Sequence, residues 1–172
     1  MYITFLNDNI ELLPVICKTS FYYYMDYWKH YMDIHSPKEL ELVYINKFLS
    51  KHTLIKNNMY TLFTDDTKTQ FIGFGSSLDN DFKNYIKKDT NGIFLSDLFI
   101  FEKYRNKGYA SMVINYIITN IRIKNNNIPI YISVENNETL HIFYKKMGFI
   151  IINTFVAERT YTIFEYVGIS KL

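Results

Sequence analysis

Leu98-Phe99-Ile100-Phe101-Glu102-Lys103-Tyr104-Arg105-Asn106-Lys107-Gly108-Tyr109-Ala110-Ser111 is the stretch on which the reading of this chain turns. Its first four residues complete an apolar run from Ile93, which predicts a buried strand. Beyond its last residue, Val113, Ile114, Ile117, Ile118 and Ile121 recur at helical spacing, which predicts a helix from Gly108 to about Lys124. Gly108 lies in the turn between them. With no Cβ there, a ligand can approach the backbone closely. The helix start presents unpaired N–H groups and partial positive charge, and Arg105 and Lys107 add two cations. Such a corner suits a phosphate or diphosphate. It is not a P-loop, which needs Gly-Lys-Ser/Thr after four spacers, and it is not a three-glycine dinucleotide turn.

Working outward, a short strand is expected at residues 3–6. A helix follows from about Leu12 through Ile16 and Phe21, and then an aromatic segment to Met32. Ser36-Pro37-Lys38-Glu39 is a capping box with proline at the first helical position, so a second helix starts there. Residues 59–63 and 70–76 read as strands flanking the polar turn Asp65-Asp66-Thr67-Lys68. Residues 128–134 form a buried-looking strand. Asn137 caps a short helix that ends at Lys145-Lys146-Met147-Gly148, where cations and glycine mark a C-terminus. Residues 149–155 and 161–167 close the chain as a hairpin. The order is strand, two helices, three strands, helix, strand, helix, two strands. Its natural packing is a mixed α/β sheet with helices on both faces.

Composition narrows the class. At 172 residues, with no Pro/Gly/Ser linker and no internal repeat, the chain is expected to be a single domain over residues 1–172. One cysteine, Cys17, excludes an internal disulfide, and with four scattered histidines it argues against a zinc site, so no metal is expected. The N-terminus has no basic segment ahead of its apolar residues, and no apolar run approaches the roughly 20 residues of a membrane helix. A cytoplasmic protein without a membrane partner is expected. A net charge of +2 is too mild for a nucleic-acid partner. The chain has 16 tyrosines and 14 phenylalanines. That wealth of rings reads as compositional.

The quoted stretch resembles the acetyl-CoA signature of the GNAT (GCN5-related) N-acetyltransferase superfamily, Arg/Gln-x-x-Gly-x-Gly/Ala behind a hydrophobic strand. Further on, Asn137-Glu138-Thr139-Leu140-His141-Ile142-Phe143-Tyr144-Lys145-Lys146-Met147-Gly148-Phe149 is similar to the family's Asn-x-x-Ala-x-x-x-Tyr-x-x-x-Gly-Phe. It matches at Asn137, Tyr144, Gly148 and Phe149, with Leu140 in the usual place of alanine. The resemblance implies the GNAT fold, a mostly antiparallel twisted sheet with one splayed parallel strand pair. It also implies acetyl-CoA as co-substrate. The pantetheine arm would lie against main-chain groups of Phe99, Ile100 and Phe101. The diphosphate would meet the amides of Asn106, Lys107, Gly108, Tyr109, Ala110 and Ser111 beside Arg105, and Asn137 would approach from the far side.

Transfer by direct attack needs a neutral amine, a polarised carbonyl and a stabilised leaving thiolate. Tyr144 is the family-matched residue for the last task. With a normal tyrosine pKa of about 10 and a thiol near 8.5, full proton transfer is uphill by about 2 kcal/mol, so Tyr144 is expected to act as a hydrogen-bond donor. Asp97, on the strand leading into the turn, is the first candidate to bind the amine or receive its proton, and Glu135 is the reserve. His141 is read as a solvated helix residue, and Cys17 as no nucleophile. Tyr24, Asp26 and Trp28 are candidates for holding a cationic acceptor. The favoured reaction is N-acetylation of a small amine, a polyamine or an aminoglycoside-like compound. The alternatives are a protein or peptide N-acetyltransferase and a non-catalytic acetyl-CoA-binding module. Exposed strands near the C-terminus admit a homodimer.

Overall fold

A computed structural model describes residues 1–23, 36–54, 58–79, 86, 92–156 and 159–168. The strands are β1 (Tyr2–Phe5), β2 (Asn58–Phe63), β3 (Phe71–Asp79), β4 (Ile93–Ile100), β5 (Ile130–Glu135), β6 (Phe149–Val156) and β7 (Thr160–Tyr166). The helices are α1 (Leu13–Tyr23), α2 (Pro37–Leu54), α3 (Tyr109–Lys124) and α4 (Glu138–Lys146). The strands form one seven-stranded sheet in the order β1-β2-β3-β4-β5-β7-β6. β1 with β2, β5 with β7, and β6 with β7 are antiparallel, whereas β4 and β5 are parallel. This is the mixed α/β architecture that the element order predicts. A parallel pair needs a crossover, and α3 supplies it.

By packing, the chain gathers into two compact units. One holds residues 1–76 and 97–104; the other holds residues 77–96 and 105–172. In the first, Leu6, Ile16, Cys17, Phe21, Leu40, Tyr44, Met59 and Phe74 form a buried cluster. α2 begins as its sequence dictates. Ser36 Oγ accepts from the Glu39 amide at 3.4 Å, and the Glu39 carboxylate accepts from the Ser36 amide at 2.8 Å, which satisfies donors at the helix start reciprocally. Between β1 and α1 the chain takes a 3-10 segment, Leu6–Leu12, ahead of the expected helix. Here Thr4 Oγ1 donates to Asp8 at 2.9 Å and Asn9 Nδ2 donates to the Phe5 carbonyl at 3.1 Å. Such side-chain bonds compete with regular helix. At the β2–β3 turn, the Asp65 carboxylate accepts from the hydroxyls of Thr64, Thr67 and Thr69.

In the second unit, α3 buries Val113, Ile114, Ile117, Ile118 and Ile121, the five residues whose spacing predicts its inner face. Each contributes roughly 1.5–3 kcal/mol by leaving water. Phe94, Tyr131, Ile163 and Ile86 form a further buried cluster. α4 ends at Gly148, whose φ of 88° is the left-handed geometry that glycine takes beyond a helix. The Gly148 amide donates to the Lys145 carbonyl at 3.0 Å.

In the first unit, β3 and β4 approach so closely at Gly73 that an added methyl would overlap the Phe99 carbonyl oxygen. Gly73→Ala is therefore expected to destabilise the protein by about 2 kcal/mol, lowering the thermal midpoint by roughly 5 °C. An unchanged midpoint in a calorimetric scan would contradict that approach.

Candidate functional site

β4 ends at Ile100, and its exit is firmly tied. The Phe101 amide donates to the Ile72 carbonyl at 3.0 Å, and the Tyr104 amide to the Phe101 carbonyl at 2.8 Å. The Tyr104 ring is buried, its hydroxyl bonds Gln70 at 3.1 Å, and the Lys103 ammonium sits 4.8 Å from the ring centroid. Then come Arg105, Asn106, Lys107 and Gly108, all exposed. Asn106 has φ 59° and Gly108 φ 80°, so two left-handed residues flank Lys107. Asparagine and glycine tolerate that region best.

α3 starts at Tyr109 with Gly108 as its N-cap and no side-chain cap. The first helical bond runs from the Met112 amide to the Gly108 carbonyl at 3.1 Å. The amides of Tyr109, Ala110 and Ser111 are those that an α-helix leaves without carbonyl partners of its own. Nothing lies within 4 Å of a Cβ built on Gly108, so the approach to this helix end is open among the described residues. The backbone thus offers several convergent donors, and the dipole adds positive charge. This set of groups fits the diphosphate of acetyl-CoA.

Along β4, the parallel ladder to β5 lasts three pairs and ends with Leu95 opposite Ile132. Two residues on, Asp97 takes φ 53°, a left-handed conformation within a strand. Its half-buried carboxylate accepts a 3.0 Å hydrogen bond from Ser76 Oγ on β3. Beyond it, the Phe101 amide and the Phe99 carbonyl both face β3, so strand alternation turns the backbone groups of Ile100 to the opposite edge.

α4 carries the second matched segment. Asn137 caps it, its Oδ1 accepting from the Leu140 amide at 3.1 Å, while Leu140 itself is exposed. Tyr144 is buried, with ring centroids 5.8 Å from Phe149 and 6.0 Å from Phe164. His141 is not the solvated residue that its sequence suggests. It is half-buried, 5.3 Å and edge-on to Phe164, and its Nε2 is buried without a hydrogen-bond partner among the described residues. It lies three positions before Tyr144, which puts both on one stripe of the helix. Glu135, the reserve base, is ion-paired with Arg159 at 3.0 Å. Cys17 is buried, and burial pushes its thiol up to about 11, which keeps it protonated and unreactive at neutral pH. Tyr24, Asp26 and Trp28 lie outside the described residues.

The residues near Asp97 that sequence reading missed are Ser76 and Tyr44. Burial raises the Tyr44 hydroxyl well above the ordinary tyrosine range, and the nearby Asp97 carboxylate raises it further. Among the described residues, no helix is long and apolar enough to cross a membrane.

Comparison with known proteins places this geometry. No curated protein matches the chain by sequence. Solved structures do match, at low identity. The chain shares 15% identity and a TM-score of 0.55 with the NatC complex bound to Gag peptide and CoA, covering 73% of this chain and 80% of that one. A chimera of the Vibrio cholerae spermidine N-acetyltransferase SpeG and hSSAT gives 17% identity and a TM-score of 0.53, with 71% and 74% covered. Against Escherichia coli ElaA the figures are 12% identity and a TM-score of 0.49, with 63% of this chain aligned and just under two thirds of ElaA, 66%, spanned. At such identities the first two likenesses show a common fold. The family model "Acetyltransferase (GNAT) family" matches residues 21–149, well over half of the sequence. This protein belongs to the GNAT acetyltransferase family.

Proposed function

We propose that the chain is an acetyl-CoA-dependent N-acetyltransferase, with residues 1–172 as its catalytic domain and a small primary amine, of the polyamine or aminoglycoside kind, as acceptor. The observation that carries this reading is the start of α3, where an uncapped helix end stands open at Gly108 with two left-handed residues beside it. Bound acetyl-CoA would supply the activated acetyl thioester. The amides of Tyr109, Ala110 and Ser111, with Asn106, Lys107 and Gly108 of the turn and the Arg105 cation, would hold its diphosphate. The backbone of β4 at Phe99, Ile100 and Phe101 would hold the pantetheine arm, with Ile100 as the principal partner because its groups turn away from β3. Asn137, whose Oδ1 caps α4, keeps its amide NH₂ as the donor toward the co-substrate.

Tyr144 donates a hydrogen bond from its hydroxyl to the departing sulfur. Its ring packing against Phe149 and Phe164 supports this role by fixing the direction of the hydroxyl. Asp97 meets the acceptor amine. The neighbours of known fold include a complex bound to a peptide and a spermidine enzyme, so the fold does not choose between acceptors. A carboxylate at Asp97 favours a small cationic amine. Tyr24, Asp26 and Trp28 are proposed to complete the acceptor site.

Three measurements test the reading. Thiol release from acetyl-CoA, scored across polyamines, aminoglycosides, amino acids and peptides, is expected only with the first two classes. Release with peptides alone would move the protein to the peptide N-acetyltransferases, and no acetyl-CoA binding at all would discard the proposal. Tyr144→Phe is expected to keep acetyl-CoA affinity while kcat falls at least tenfold, about 1.4 kcal/mol of transition-state stabilisation. Unchanged turnover refutes the donor role. Gly108→Ala forces a Cβ onto a backbone at φ 80° and into the open approach, so KM for acetyl-CoA should rise roughly tenfold. An unaltered KM removes the turn from the site.

A further inference from the structure

The first unit contains polar and titratable groups that the proposed reaction does not use. Cys17 and Ser20 on α1, Tyr44 on α2 and Ser76 on β3 are all buried, and the cluster that holds Cys17 and Tyr44 is otherwise apolar. Three observations show how these groups bear on Asp97. Ser76 is 1% exposed and donates at 3.0 Å to one carboxylate oxygen of Asp97. Asp97 holds a left-handed backbone inside β4, which aims its side chain differently from a regular strand residue. Tyr44, 9% exposed, packs its ring 5.7 Å from Phe21, and the Asp97 charge adds to burial in raising its hydroxyl above the ordinary range.

We propose that Ser76 is a positioning residue for Asp97, fixing its carboxylate as the recognition point for a cationic primary amine. This rests on the reading of Asp97 as the residue that meets the acceptor. A buried hydroxyl bonded to a carboxylate favours the ionised form and restricts its rotation. Tyr44 adds no charge beside it, since burial holds its hydroxyl well above the ordinary tyrosine range. The groups acting on Tyr44 from the elements packed around it are Asp97 of β4, and Ser20 and Cys17 of α1. Cys17, with its thiol near 11, stays neutral through the working range. A neutral acceptor gains little from this arrangement, whereas an ammonium gains a charge-assisted bond of fixed direction.

The experiment compares the pH dependence of kcat/KM for the best polyamine or aminoglycoside acceptor in the full chain and in Ser76→Ala, Ser76→Thr and Asp97→Asn. Losing a hydrogen bond to a carboxylate raises its pKa, so the acid limb should move to higher pH by about half a unit or more in Ser76→Ala. KM for the amine should rise roughly fivefold or more, with KM for acetyl-CoA unchanged. Ser76→Thr retains a hydroxyl and should restore both values, an outcome that a purely structural role for Ser76 would not give. If Asp97→Asn removes the limb while Ser76→Ala leaves it in place, the positioning proposal is overturned and Asp97 keeps its role. If Asp97→Asn leaves the limb and the amine KM unaltered, the reading of Asp97 fails, and this proposal fails with it.

Discussion

The account depends on a helix end whose first amides have no side-chain cap among the described residues. Most helices satisfy their first amides with a serine, threonine, aspartate or asparagine side chain at the N-cap. α3 has glycine there, so the chain forgoes that stabilisation, typically near 1 kcal/mol, and leaves donors for something else. The position also demands a positive φ, and only glycine combines that backbone with empty space for an approaching ligand. What precedes the turn serves the same end. The buried Tyr104 ring, its bond to Gln70 and the Phe101–Ile72 bond fix where β4 releases the chain.

Two other places depart from plain packing. Asp97 adopts a left-handed backbone in the middle of a strand of apolar residues, a conformation that costs energy in any residue with a Cβ. Ser76 compensates by bonding the side chain that this backbone aims. On α4, Asn137 and Gly148 close the two ends and so fix the rotation of a helix on which Tyr144 is the buried residue. His141, on the same stripe, brings into that packing an imidazole nitrogen with no hydrogen-bond partner among the described residues, a costly arrangement that a plain apolar residue would avoid.

Much of the fold was legible in the residues because its elements are locally consistent. The five-residue stripe of α3, the capping box at Ser36 and the closing glycine at Gly148 each encode their own geometry. Residues with side chains that compete for backbone were harder to place. Asp8 and Asn9 turn the expected entry to α1 into a 3-10 segment. At the site, Gly108 and the Asn106 amide are legible as cofactor-binding positions, but the left-handed backbone of Asn106 is not part of that reading; an asparagine two residues before a turn glycine is itself a sign of it. Ser76 and Tyr44 carried no such sign. They lie 21 and 53 positions from Asp97 in the chain, and only folding brings them to it. His141 was misjudged because the periodicity of so short a helix does not say which of two adjacent positions turns inward.

The most direct measurement follows the backbone amide resonances of Tyr109, Ala110 and Ser111 by NMR, during titration with acetyl-CoA and, separately, with S-acetylpantetheine, which lacks the diphosphate. The account predicts that acetyl-CoA shifts these three resonances strongly and that S-acetylpantetheine leaves them in place. If acetyl-CoA binds while the three amides stay unmoved, the open end of α3 is not the diphosphate cradle and the account is wrong at its centre.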